Sequence, residues 1–185
     1  MAPSQPATAS DVVSFWRDAG EEAWFKKDDA FDARIRERFL PTYEAAADGK
    51  LSSWEEHAEG ALALLILLDQ FPRNMFRGDA RMFETDPMAL AIAAGALVRG
   101  FDAEMPRDLR LFFYLPFEHS ESLKDQERSV ALFKAHGDAA LIKWADLHAD
   151  IIRKFGRFPH RNAVLGRATT PDEQAFLDDE ASFKG

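Results

Sequence analysis

Apolar residues recur three and four positions apart along most of the chain, and no stretch alternates apolar with polar in a run rich in β-branched residues. That is the pattern of amphipathic helices without a sheet. It resolves into about nine helices, each bounded by residues that start or stop one. Ser10 is placed to N-cap a helix carrying Val12, Val13, Phe15 and Trp16 that ends near Gly20. Helices follow near 22–26 and over 29–40, the second stopping before Pro41, and a turn or short helix near 42–48 ends at Gly49. Ser53 and Glu56 are spaced as a capping box ahead of a segment to Gln70, in which Leu62, Leu64, Leu65, Ile66, Leu67 and Leu68 cover every face. A helix apolar all round is buried, so this one belongs at the centre.

The second half reads the same way. A short helix near 79–84 precedes Asp86-Pro87, which starts an Ala-rich helix terminated by Gly100. Pro106 opens another that ends at Leu115, because Pro116 disfavours helical geometry in the residue before it. FEHSES, residues 117–122, reads as an elbow, with Ser120 suited to cap a helix over 121–136. Gly137 separates that helix from one over 138–155. Thr170-Pro171-Asp172-Glu173 combines a capping box with Pro at the first helical position for a last helix.

Composition narrows the class. A chain of 185 residues with 46% hydrophobic content and sixteen Phe is enough for one packed core, assigned here to residues 10–185. The start MAPSQPATAS lacks the basic and apolar parts of a secretory signal, and residues 1–9 are expected to be a disordered leader. The longest uncharged runs, around Ala61–Leu68 and Pro87–Val98, fall short of the roughly 18 apolar residues of a membrane span. With no Cys there is no disulfide framework, thiolate zinc site or cysteine nucleophile, and a cytoplasmic location is expected. A net charge of -9 opposes long-range attraction to phosphate backbones or anionic lipid, so nucleic acid and membrane are not expected partners and any anion site must be local.

Several chemical motifs fail on inspection. Gly95 and Gly100 have P-loop spacing but Phe101 follows, and there is no nucleophile elbow, zinc helix or EF-hand loop. Asp146, His148 and Asp150 look like metal ligands, but residues two apart on a helix face roughly 200° away from each other. His148 instead shares a stripe with Leu141, Trp144, Ile151, Ile152 and Phe155, which predicts a core histidine bonded to a neighbour, and Trp54 and Trp144 read as core. No metal or cofactor is expected.

One phrase occurs twice: LDQFPRNMFRG at 68–78 and FGRFPHRNAVLGR at 155–167. Phe71-Pro72 and Phe158-Pro159 are each expected to stop a helix. Arg73, Asn74, Arg161 and Asn162 are then placed to donate to the carbonyls a helix end leaves without partners, which requires no ligand. Charge suggests more. From Ile151 to Pro171 the residues Arg153, Lys154, Arg157, His160, Arg161 and Arg167 occur without a single acid, although five acids follow within 172–180 and compete for them. If the turns converge, Arg73, Asn74, Arg77, Arg157, His160, Arg161, Asn162 and Arg167 with His119 of the elbow form a crevice for an anionic small molecule or an acidic peptide segment, since Arg forks grip carboxylate and phosphate bidentately. The alternative is a small-molecule hydrolase or acid-base enzyme, in which His119 or His160 exchanges a proton while Glu118 or Glu121 orients the ring and Arg stabilises developing negative charge. RNA binding through these Arg residues and Phe155 and Phe158 is a third reading, opposed by the overall charge.

The phrases LDQFPRNMFRG, FFYLPFEHSESLKDQ and FGRFPHRNAVLGR, in that order, resemble the mainly bacterial family labelled domain of unknown function 924, over nearly the whole chain after the leader. The resemblance implies a tetratricopeptide-like (TPR-like) array of antiparallel helix pairs, without implying a reaction or ligand. The Trp-x2-Leu-Gly-x2-Tyr pattern of ordinary repeats is absent, so a regular peptide-binding superhelix is not implied.

Overall fold

The computed structural model describes residues 6–183, and among them all regular structure is helical. The chain divides into two compact units, one of residues 1–77 and 81–116, the other of residues 78–80 and 117–185. No helix among the described residues is long and apolar enough to cross a membrane. Of the leader, residues 1–5 lie outside the described part, as do 184 and 185 at the other end. The Ala7 N–H already donates to the Thr42 hydroxyl at 2.8 Å, so the chain is tied down before Ser10.

In the N-terminal unit, α1 (Ala9–Ala19) is capped by Thr8 rather than Ser10, because Thr8 and Asp11 have the reciprocal spacing of a capping box. The short α2 (Glu21–Trp24) turns the chain so that the Trp24 indole N–H donates to the Trp16 carbonyl at 2.6 Å. Trp16, wholly buried, then packs against the rings of Trp24, Phe71 and Phe112 with centroids 5.6 to 6.1 Å away. Helix α3 (Asp29–Ala47) runs through Pro41 instead of stopping at residue 40. Five buried residues on it besides Phe31, from Ile35 to Ala46, make continuing the helix worth more than the bond Pro41 fails to donate.

The central element departs furthest from expectation. The 3-10 turn Ser52–Glu56 comes first, with no capping box at Ser53, and α4 (Ala58–Leu65) follows. The chain then widens into a π-helical turn at Ile66–Gln70 and continues as α5 (Phe71–Met75). Phe71-Pro72 therefore does not stop the helix; the π turn lies directly before Pro72 and relieves the clash its ring makes with the carbonyl four residues back in an α-helix. That carbonyl belongs to Leu68, and Pro72 has no N–H to offer it. The Thr85 hydroxyl donates instead, at 2.6 Å. Thr85 occupies the N-cap position of α6 (Asp86–Val98) yet makes no capping bond there, because its hydroxyl is committed to Leu68. The 3-10 turn Ala80–Phe83 takes the place of the expected helix near 79–84.

α7 (Phe101–Glu104) starts after Gly100, whose φ of 74° is the left-handed conformation that ends α6. A 3-10 stretch, Arg107–Phe113, replaces the helix expected from Pro106, and Pro116 lies inside the one-turn α8 (Leu115–Glu118), where a missing N–H costs nothing.

In the C-terminal unit, α9 (Leu123–His136) and α10 (Ala139–Phe155) are joined through Gly137 and Asp138 as an antiparallel hairpin. Gly137 has φ of 84°, and the Asp138 carboxylate accepts from the N–H groups of Ala140 and Leu141. Ser120 does not cap α9. Its hydroxyl donates to Asp125 at 2.8 Å, and Ser122 holds the cap position. α10 ends at Gly156, with φ of 70°, not at Phe158-Pro159, which opens a 3-10 turn, Pro159–Arg161. α11 (Pro171–Asp178) begins with the expected Thr170–Glu173 capping box. Ile151, Ile152 and Phe158 form the core, with Leu147, Phe155, Phe176 and Phe183 against it. Trp144, read as core, is instead 49% exposed, and Trp54 is only partly buried.

Candidate functional site

Arg73, Arg77, Arg157 and Arg167 of the repeated phrase carry carboxylate partners within their own units. Arg73 grips Asp86 bidentately at 2.8 and 3.0 Å, lies 3.3 Å from Asp69, and donates to the Asp69 carbonyl. Burial by itself lowers the Arg73 pKa, but attraction to Asp69 and Asp86 outweighs it and holds the group charged. Asn74 donates to Asp32 at 2.7 Å, and Arg77 takes the same carboxylate with Nε at 2.5 Å. One Asn and one Arg thus share an acid 42 and 45 residues earlier. All six residues belong to the N-terminal unit.

The second phrase repeats the device. Arg157 holds Glu173 through two bonds, at 2.5 and 2.8 Å, and Asn162 reaches the same carboxylate at 3.2 Å. Arg167 holds Glu121 at 2.7 and 3.0 Å while donating to the Phe158 carbonyl and to Asn162 Oδ1. The Glu121 carboxylate also accepts the Phe158 N–H at 2.7 Å. These bonds brace the irregular segment between α10 and α11, whose backbone groups have no helix ladder to join. One expectation changes here. The positive charge of Arg73, Arg77, Arg157 and Arg167 is not in surplus, because Asp32, Asp69, Asp86, Glu121 and Glu173 balance it inside the fold. Burial raises the Glu121 pKa, yet the bonds from Arg167 and Phe158 leave it below the ordinary carboxylate value, ionised and engaged.

Glu173 shows how firm the bracing is. Hydrogen bonds from Arg157, and then from the Thr170 backbone against an opposing burial effect, lower its pKa from 4.5 to about 2. A depressed folded-state pKa stabilises the fold fully above pH 4.5, and that contribution is lost as pH falls through about 2. Melting temperature is therefore expected to fall between pH 5 and 2 more steeply in the wild type than in Glu173→Gln, which lacks the titrating group; parallel pH profiles would refute the linkage.

A different cluster, which the sequence divided among core and turn, assembles around the wholly buried Phe158 ring. Arg161, 7% exposed, lies over that ring at 4.6 Å, and the imidazoles of His148 and His160 stand 5.6 and 5.5 Å from its centroid. His148 is buried, as its stripe predicted, but its surroundings are polar as well as apolar. Its Nδ1 lies 2.9 Å from the Trp144 carbonyl and 3.4 Å from Oε1 of the buried Glu118. Two acceptors at Nδ1 place the proton there and leave Nε2 as the basic atom of the neutral ring. Phe183 closes the group, its ring 4.5 Å from His148 and 5.2 Å from His160. His119 follows α8 directly in the elbow and is part-exposed.

Nothing local in the sequence ties Glu118 to His148 or Phe183 to either histidine. The histidine at 148 was visible only as one position of an apolar stripe. Among the described residues no group of three His, Asp or Glu is placed to hold a metal ion. The N-terminal unit has a hollow of about 320 Å³, lined by Tyr43, Glu44, Asp48, Arg81, Glu84 and Met88 among others, and none of the expected site residues lines it.

Comparison with known proteins agrees with the order of the three phrases. A model of bacterial proteins of unknown function, DUF924, matches residues 12–181. The solved structure of a protein of unknown function from Agrobacterium tumefaciens is similar with a TM-score of 0.89 and 49% sequence identity, over 92% of this chain and 96% of that one. A comparison with curated proteins finds no match.

Proposed function

We propose a ligand-binding function for this chain, which belongs to the bacterial DUF924 family: its C-terminal unit binds an anionic small molecule at Arg161, His160 and His148. The observation that supports this is the gathering of one guanidinium and two imidazoles around a single Phe158 ring. Three groups that carry or can acquire positive charge surround one buried apolar ring, with the Glu118 carboxylate as the acid beside them, and an anion there gains both charge-assisted hydrogen bonds and a low local dielectric. Arg157 and Arg167 serve as braces of the segment that carries His160 and Arg161.

The test is a titration with inorganic phosphate at low ionic strength, followed by the His148 and His160 ring signals and by Tm. Saturable shifts of both signals are expected, with Tm raised by about 5 to 10 °C at a hundredfold excess over Kd. Arg161→Met abolishes both responses, and the exposed Arg99→Gln leaves them intact. If phosphate, acetate and benzoate all leave the signals and Tm unmoved, the reading fails.

A second reading keeps a specific observation of its own. Glu118 beside His148 Nδ1, with the tautomer fixed by the Trp144 carbonyl, resembles the arrangement that makes Nε2 a general base. An acid-base reaction at this unit would then run through His148 and Glu118 with His160, in place of His119 and Glu121. Turnover of a test ester that Glu118→Gln abolishes without loss of anion binding would favour it over the binding module.

A further inference from the structure

We infer that the ligand of this site carries an aromatic ring beside its negative charge, and that Phe183 is the chain's own occupant of the ring's place. The inference rests on the binding reading above and adds the ligand's shape to it. The Phe183 ring sits between two imidazoles, edge-on to both, at interplanar angles of 61° to His148 and 85° to His160. Trp144, half exposed, flanks it at 6.1 Å. Edge-to-face contacts at these separations are those an aromatic ring seeks, and they are indifferent to whether the ring belongs to the chain.

The way Phe183 arrives makes it displaceable. After α11 ends at Asp178, residues 178–181 are exposed. A small turn, in which Asp179 accepts from the N–H groups of Ala181 and Ser182, carries the chain back to the unit. Between Leu177 and Phe183 the only apolar side chain is Ala181, so a polar stalk delivers one large ring. A core aromatic on a helix is fixed by its neighbours along the helix; this ring is held by what it touches. A ligand that offers a ring to the same faces and an anion beside Arg161 and His160 takes over the edge contacts of Phe183 with the two imidazoles and brings a negative charge that Phe183 lacks.

Phenyl phosphate and inorganic phosphate distinguish the two claims. In Phe183→Ala, phenyl phosphate is expected to bind at least tenfold more tightly than in the wild type, with inorganic phosphate changed less than twofold. Adding Arg161→Met removes the gain. Equal affinity for the two phosphates in both chains overturns the ring inference and spares the anion site; failure of either phosphate to bind overturns the site itself. A measurement without ligand checks the cover directly. Carbethoxylation of His148 and His160 by diethyl pyrocarbonate is expected to speed up at least fivefold in Phe183→Ala, with the exposed His57 unchanged. Unchanged rates at both rings, or a Phe183→Ala chain that no longer melts cooperatively, make Phe183 a core residue and end the inference.

Discussion

Replacing Gly60 by alanine is expected to destabilise the protein by about 3 kcal/mol, lowering Tm by roughly 6 to 12 °C. Helix propensity predicts the opposite sign, since alanine inside α4 is favoured over glycine by about 1 kcal/mol. Contact decides it. A Cβ on Gly60 would lie 2.1 Å from the Trp54 carbonyl oxygen and 2.9 Å from the carbon behind it. Both are backbone atoms of the 3-10 turn Ser52–Glu56, so no side chain can swing aside to make room. Gly95 in α6 supplies the control, because its Cβ would meet only the end of the Arg99 side chain at 3.7 Å. Gly95→Ala should raise stability by about 0.5 to 1 kcal/mol. Thermal melts of the two variants side by side check the argument, and a Gly60→Ala chain as stable as Gly95→Ala would refute it.

The second large effect is expected from Arg73→Met. Removing the guanidinium leaves the Asp69 carboxylate, only 1% exposed, and the Asp86 carboxylate, 15% exposed, without their shared cation. Stripping one partner from a buried pair costs about 3 to 5 kcal/mol, because the remaining charge keeps its desolvation penalty. The combined variant Arg73→Met, Asp86→Asn should recover only part of that loss, since Asp69 stays in place. Arg153→Met, by contrast, breaks a pair with Asp150 whose side chains are 46% and 71% exposed, and should cost less than about 1 kcal/mol. Urea denaturation of the three variants measures the differences. Similar losses for Arg73→Met and Arg153→Met would mean that burial does not set the value of these pairs.

What could be read in advance followed the range of the forces involved. The Thr170–Glu173 box, the Gly100 and Gly137 terminators and the Asp86 helix start involve residues within a few positions of each other, and a local reading found them. Pro41 and Pro72 misled because local rules count the lost bond and the ring clash but not the buried face on either side, nor a hydroxyl arriving from Thr85. The purpose of the repeated phrase lay further off. Arg77 meets Asp32 across 45 residues and Arg167 meets Glu121 across 46, so the charge run at 151–171 looked unbalanced when its partners were elsewhere in the chain. Glu118 and His148 are hidden from a linear reading for the same reason, being thirty residues apart.

The hydroxyl that Thr85 lends to the Leu68 carbonyl ties two events that are independent in most helical proteins. Fraying at the first turn of α6 withdraws that donor, and the widened stretch before Pro72 then loses a hydrogen bond in a dry interior. Neither the end of one rod nor the bend of the other can loosen alone, so amide exchange in the segments 66–75 and 86–89 should proceed through one shared opening. The joint is a mechanical linkage made from a single threonine.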